Sequence, residues 1–248
     1  MPKRGLPQEG LKLIACATML LDHIGATIVN DLFYAAADTG SGAGSVLLIQ
    51  ELLRSIGRLA FPIYCFLLVE GSVRTRNPKG YGLRLLIAAV LSEAPYDFAF
   101  YGGMNWQRQS VMVTLLIGFV MLEALEKCPQ MVLKLLVILP FAWLTDAMNS
   151  DYGADGILVI ALFALTRELS HKRLLQFFGL WCIFSPSHLM MINWFGSISI
   201  TIQELAVFAI VPIWLYDGRK VTKSKMVQWA FYLFYPVHLM TLYLIGRF

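Results

Sequence analysis

From residue 11 to residue 246 the chain is a succession of apolar runs separated by short polar connections. A bilayer core about 30 Å thick takes about 20 mostly apolar helical residues per crossing. Nine stretches fit, at about 11–30, 48–72, 83–100, 110–127, 131–148, 156–168, 173–190, 198–216 and 227–246. The sixth is short, so the count runs from about eight to ten. In lipid every backbone polar group must be satisfied internally, and runs of this length do so as helices. The expectation is an all-α, polytopic transmembrane bundle forming one domain over 1–248. Composition agrees, because 58% hydrophobic and only 15% charged residues exclude a disordered chain and depart from a soluble average.

Orientation follows from Lys and Arg near the ends of the runs. With a cytoplasmic N-terminus, Lys3, Arg4 and Lys12 start on the inner side. Arg74, Arg76, Lys79 and Arg84 join them there. So do Lys127, Lys134, Arg167, Lys172, Arg173, Arg219, Lys220, Lys223 and Lys225. The outer connections, residues 31–47, 101–109, 149–155 and 191–197, hold only Arg108, and Arg247 lies in the tail. The net charge of +4 is this asymmetry and not a nucleic-acid footprint, since no basic-aromatic face accompanies it. The first run carries an Asp-His pair and is not expected to be a cleaved signal peptide. Cys16, Cys65, Cys128 and Cys182 fit no disulfide or zinc pattern, so they read as small reduced hydrophobes and no metal is expected. Location in a bacterial cytoplasmic membrane, as a multi-pass protein, is the corresponding expectation.

Ionisable residues inside such runs cost at least about 2.5–3.5 kcal/mol each on insertion scales, so each asks for a reason. Asp22 and His23 are adjacent in the first run. His23 lies eleven residues after Lys12, about 16 Å along a helix. A histidine near a carboxylate can serve as a general base. Neighbours on a helix point about 100° apart, so Asp22 need not touch His23. A buried polar pair bonded to other helices is the bland alternative. His238 is similarly deep in the last run, within Phe234-Tyr235-Pro236-Val237-His238. Pro236 would break its helix and place that segment on a cavity.

Arg58 sits among apolar residues and should meet a carboxylate or an anion. Glu70 should pair with Arg74. The loop EGSVRTRNPKGYGLR brings Arg74, Arg76, Asn77, Lys79, Tyr81 and Arg84 together, a composition suited to phosphates, although topology alone would also make it basic. Glu93 and Asp97 flank Pro95 in the third run and read as cavity lining. Asp151 and Asp155 read as turn residues; with Asp97 they would give the outer side an acidic mouth suited to an amine. Gln203 and Glu204 lie in the eighth run, where Glu204 needs an internal partner. His171 and His188 read as surface residues.

The stretches LKLIACATMLLDHIGA, GRLAFPIYCFLLVEGSVRTRNPKGYGLRLLI, DYGADGIL and FYLFYPVHL resemble the TraX family of integral-membrane proteins, whose conjugative member is linked to N-acetylation of pilin. That family is similar in turn to the acyltransferase-3 group, where a basic residue precedes a first-span histidine with ten residues between them. Lys12 and His23 have that spacing, with Lys where Arg is common. The resemblance implies a transferase that uses acetyl-CoA or another acyl-CoA. His23, Asp22 and His238 would be catalytic. Lys12, Arg58, Arg74, Arg84, Tyr81 and Asn77 would hold the donor. Glu93, Asp97 and Tyr235 would face an extracytoplasmic acceptor, a peptide N-terminus or a glycan hydroxyl. His23 would act as base or as acyl carrier. A proton-coupled transporter or flippase could use the same buried ionisable groups, but no matching broken helices in two halves support it. A scaffold without chemistry is the third reading.

Overall fold

A computed structural model describes residues 5–40, 42–185, 202–222 and 224–246. Lys3, Arg4, His188, Lys223, Arg247 and the connection 191–197 lie outside the described residues, as do the end of the seventh apolar run and the start of the eighth. The regular elements among the described residues are all helices, in the order α1 (Gln8–Ala26), α2 (Ile28–Thr39), α3 (Ala43–Gly57), α4 (Ala60–Arg74), α5 (Pro78–Tyr101) and α6 (Val111–Leu125). Then follow α7 (Met131–Ala147), α8 (Gly153–Thr166), α9 (Lys172–Phe184), a 3-10 helix (Ile202–Ala209), α10 (Ile210–Leu215) and α11 (Lys225–Gly246).

The first two apolar runs arrive as broken helices. Thr27, at φ −114° and ψ −86°, separates α1 from α2. A turn at Arg58–Leu59 separates α3 from α4. Both interruptions sit beside the ionisable residues the sequence singled out. The stretches Gln8–Thr39 and Ala43–Arg74, and the helix Lys225–Gly246, are long and apolar enough to cross a membrane; Val111–Leu125, Gly153–Thr166 and Ile202–Leu215 are shorter apolar helices. The protein is thus a helical membrane protein.

Helix α4 is the central column. It buries Phe61, Ile63, Cys65, Leu67, Leu68 and Val69 and packs on α1, α6 and α8. The interior is completed by Met121 of α6 and by Ile157, Ile160 and Phe163 of α8, all at most 1% exposed. Small residues let membrane helices approach closely; a side chain at Gly118 would collide with Ile160. Helix α7 is the reverse case. It buries only Ile138 and Thr145 and exposes Leu135, Leu136, Leu139 and Trp143, an apolar face that matches a lipid solvent.

Helix α5 starts where the sequence has Asn77-Pro78. The Asn77 side chain accepts the Gly80 N–H at 2.9 Å and Pro78 takes the first turn, the usual chemistry of a helix start. It stops at Gly102 in the left-handed region, φ 70°, a conformation glycine adopts without strain. Neither Pro95 in α5 nor Pro236 in α11 ends its helix. The break expected at Pro236 is absent, because one missing amide can be compensated inside a packed bundle.

Candidate functional site

A cavity of about 650 Å³ lies within the bundle. On α5 its wall extends from Tyr81 to Tyr101, twenty residues, or about 30 Å of helix. That matches the thickness of a bilayer core. On α1 its wall includes Gln8, Glu9, Lys12, Met19, Asp22 and His23. Eleven residues on a helix of 3.6 per turn return to within about 20° of the same face. Lys12 and His23 therefore look into one space at different depths.

His23 is 9% exposed and lines the cavity; His238 is 6% exposed and does not. The rings are parallel within 2°, with His23 Nδ1 2.6 Å from His238 Nε2. His238 Nδ1 is 2.6 Å from the Phe234 carbonyl oxygen. A carbonyl can only accept, so His238 Nδ1 carries the proton. In a neutral imidazole its Nε2 must then accept, and His23 Nδ1 must donate. The one lone pair left on the pair is on His23 Nε2, which has no hydrogen-bond partner among the described residues. This is the tautomer a general base needs. Phe100 and Tyr235 stand edge-on to the His23 ring, with centroids 5.5 and 5.9 Å away.

Asp22 turns away from His23. Its carboxylate takes Arg54 Nη1 at 3.0 Å and Arg58 Nη2, while Arg58 Nη1 reaches Gln203 Oε1 at 3.1 Å. The α3–α4 break is what lets both arginines reach α1. Gly57 is needed there, because any side chain at that position would run into Asp22. Tyr152 completes this part of the wall. It holds a left-handed φ of 65°, stacks on Phe61 at 3.6 Å, and offers its ring to Arg58 at 6.0 Å. A non-glycine residue in that region is strained and tends to mark a functional wall.

The opposite end is basic. Lys12, Arg74, Arg76, Arg84 and Lys220 line it, together with Tyr81. Lys12 lies over Phe231 at 5.0 Å, and Arg84 over Tyr81 at 5.5 Å. Glu70 pairs with Arg74 at 2.5 Å and with Arg167 at 3.1 Å. Arg74 also holds Tyr216 and Gly218. The connection after α10 therefore straps this mouth. Glu9 accepts its Val221 and Thr222 N–H groups. Asp217 accepts the Arg219 N–H and its Nε, and the first of these above all holds its carboxyl below the usual carboxylate range.

Of the residues expected to face a ligand, His23, Asp22, Lys12, Arg58, Arg74, Arg84, Tyr81 and Tyr235 share the cavity wall. Asn77, Glu93, Asp97 and His238 lie outside it. Asn77 is spent on its helix cap. Glu93 accepts the Ser110 N–H and hydroxyl, and Asp97 accepts the Asn105 N–H. Those two carboxylates anchor the α5–α6 connection instead of lining the cavity. Asp151, read from sequence as a turn residue, is in the wall, while Asp155 is not. Tyr152 was missed, since nothing in DYGADG announces a left-handed tyrosine. His171 is exposed, as read from sequence. Among the described residues no three His, Cys, Asp or Glu converge as metal ligands.

Fold and site together define a helical membrane protein with a long internal cavity, basic at one end and lined by one histidine of a buried pair. The chain belongs to the TraX protein family, whose model matches residues 7–246. It is 27% identical over 240 residues to a probable fimbrial assembly protein FimC, serogroup H1, of Dichelobacter nodosus, covering 92% of this chain and 91% of that protein. No solved structure matches it.

Proposed function

We propose that the protein is a membrane-embedded acyltransferase that moves an acyl group, acetyl in the simplest case, from cytoplasmic acyl-CoA to an acceptor on the far side of the bilayer. In this reading the chain crosses the bacterial cytoplasmic membrane about nine times, with its N-terminus inside. The observation that carries the proposal is the His23 Nε2 lone pair, set by His238 and Phe234, on a cavity whose inner mouth is basic. The acyltransferase-3 spacing of Lys12 and His23 supports it. The name of the Dichelobacter relative, a fimbrial assembly protein, favours a peptide acceptor over a glycan.

The donor's phosphates rest among Lys12, Arg74, Arg84 and Lys220, and its thin arm carries the thioester inward. The acceptor nitrogen or oxygen attacks the thioester carbonyl carbon. As the new bond to carbon forms, His23 Nε2 takes the acceptor's proton; the C–S bond breaks, and the departing thiolate recovers that proton from His23. The products are free CoA thiol and the acylated acceptor. His238 positions His23 and does not touch substrate.

The test follows thiol release from acetyl-CoA by the purified protein in lipid nanodiscs. His23→Ala should lower release by about 10²–10⁴-fold, the usual contribution of a general base, with His171→Ala unchanged. Equal rates in wild type and His23→Ala would overturn the proposal. Proton-coupled uptake into vesicles without any thiol release would establish the transporter reading instead.

A further inference from the structure

Away from the basic mouth, the cavity wall holds three arginines that come from separate parts of the chain. Arg54 belongs to α3, Arg58 to the α3–α4 break, and Arg108 to the connection between α5 and α6. Basic residues are kept off outer connections. With the N-terminus inside, Arg108 is the only Lys or Arg of the outer connections, and it lines the cavity. Gly25, in the last turn of α1, lies against Arg54, so this part of the wall stands at and beyond the level of His23. Asp151 is within electrostatic reach of Arg54 and Arg58 on one side and of Tyr96 and Tyr235 on the other. Arg108 reaches the same Tyr96. The three guanidinium groups therefore border one space.

Little of their hydrogen-bonding capacity is used. A guanidinium carries several N–H donors and no acceptor. Arg54 gives one hydrogen bond, to Asp22; Arg58 gives two, to Asp22 and Gln203. Among the described residues Arg58 Nε is buried without a partner, and Arg108 makes no hydrogen bond or ion pair. The acidic mouth expected from sequence does not form, because of Asp97, Asp151 and Asp155 only Asp151 lines the cavity. Asp22 and Asp151 are the carboxylates at this end. Three cations against two carboxylates leave one positive charge in excess. Guanidinium groups with spare N–H donors select an oxyanion, which they grip through paired N–H···O bonds. Peptides and acidic sugars both carry a single such charge as a carboxylate.

We propose that this end of the cavity is a binding subsite for a carboxylate of the acceptor, held by Arg54, Arg58 and Arg108. The subsite stands on the cavity's own geometry; that its occupant is the acceptor rests on the acyl-transfer reading. Asp22 gathers two of the three arginines and adjoins His23 in the chain. The bound carboxylate therefore sits close to the reacting atoms, and the acceptor carries it within a few bonds of its nucleophile. The carboxylate takes no part in bond making. It anchors the acceptor while the nucleophile faces His23 Nε2, and it discriminates against acceptors of the same shape without the charge.

The probes are lactate and lactamide, with the full chain in nanodiscs. They differ by a carboxylate against a neutral amide, and both carry a hydroxyl on the adjoining carbon. Saturation-transfer NMR should show lactate bound to wild type and no comparable lactamide signal. The lactate signal should be lost in Arg108→Gln and kept in Arg108→Lys. It should also survive Lys220→Gln, which removes a charge from the opposite mouth. With acetyl-CoA present, Arg108→Gln should lower the preference in kcat/KM for lactate over lactamide by about tenfold, as loss of one charge-assisted contact does. A merely structural role for Arg108 would slow both acceptors alike and leave that preference unchanged. Equal binding of lactate and lactamide overturns the subsite, as does a lactate signal that survives Arg108→Gln or falls as far in Lys220→Gln. Arg108-dependent binding in a protein that never releases thiol keeps the subsite and overturns the transfer reading.

Discussion

His23 and His238, 215 residues apart in sequence, lie with parallel rings and 2.6 Å between Nδ1 of the first and Nε2 of the second. Because Phe234 fixes the proton on the far side of His238, the pair has one resting tautomer. His238→Ala removes that constraint without opening the donor mouth. It should lower kcat for acyl transfer by about 10²-fold, the lower end of what acid–base catalysis supplies, and leave the KM for acetyl-CoA unchanged. His238→Gln, whose carbonyl can still accept from His23 Nδ1, should recover part of the loss. A structural role alone would move thermal stability and spare the split between kcat and KM.

The arginine cluster predicts stability effects. Asp22 is the shared carboxylate of Arg54 and Arg58, so Asp22→Ala strands two guanidinium groups near the middle of the bundle. Removing one partner of a buried pair costs about 3–5 kcal/mol; Arg54 is one-third exposed, which lowers the expected loss to about 2–3 kcal/mol after screening. Gly57→Ala should reach about 1–3 kcal/mol by overpacking against the same carboxylate. Thermal unfolding in detergent measures both. Wild-type stability in Asp22→Ala would mean that the cluster does not hold α3 and α4 to α1.

At the inner mouth, Lys12→Ala and Arg84→Ala each remove one positive charge from the wall. Each should raise the KM for acetyl-CoA by about tenfold, the value of one hydrogen bond to a charged group. Binding should also weaken as salt rises, because exposed charge is screened beyond about 8–10 Å. Acyl pantetheine, which has no phosphates, should show neither effect. If salt and the two substitutions leave acetyl-CoA binding untouched, the donor phosphates do not sit there.

Much of this was legible in the chain. Apolar length specifies the helices, and the cost of charge in lipid points to Asp22, His23 and Arg58. Their partners were not legible. Asp22 adjoins His23 in sequence, yet adjacent helical positions diverge by about 100°, and the α3–α4 break delivers two arginines to Asp22 instead. The histidine pair joins α1 to α11, a contact no local pattern encodes. Glu93 and Asp97 carried the same cost signal as Asp22, but Glu93 is met by Ser110 and one oxygen of Asp97 by the Asn105 N–H in the next connection, while Asp97 Oδ1 stays buried without a partner among the described residues. Cost identifies residues that need partners and does not say whether the partner is protein or ligand.

The orientation assigned from the basic residues makes the last prediction. Lys79 precedes most of α5, and Asp155 begins α8; both are exposed. With the N-terminus inside, residue 79 faces the cytoplasm and residue 155 the opposite side. In a chain whose own cysteines are replaced by Ala or Ser, Lys79→Cys should react with a membrane-impermeant maleimide only after cells are opened. Asp155→Cys should react in intact cells with a permeable outer barrier. The reverse pattern would turn the protein over, putting the basic mouth outside, away from the cytoplasmic pool of acyl-CoA. The acyltransferase reading would then lose its donor, whatever His23 does in a purified assay.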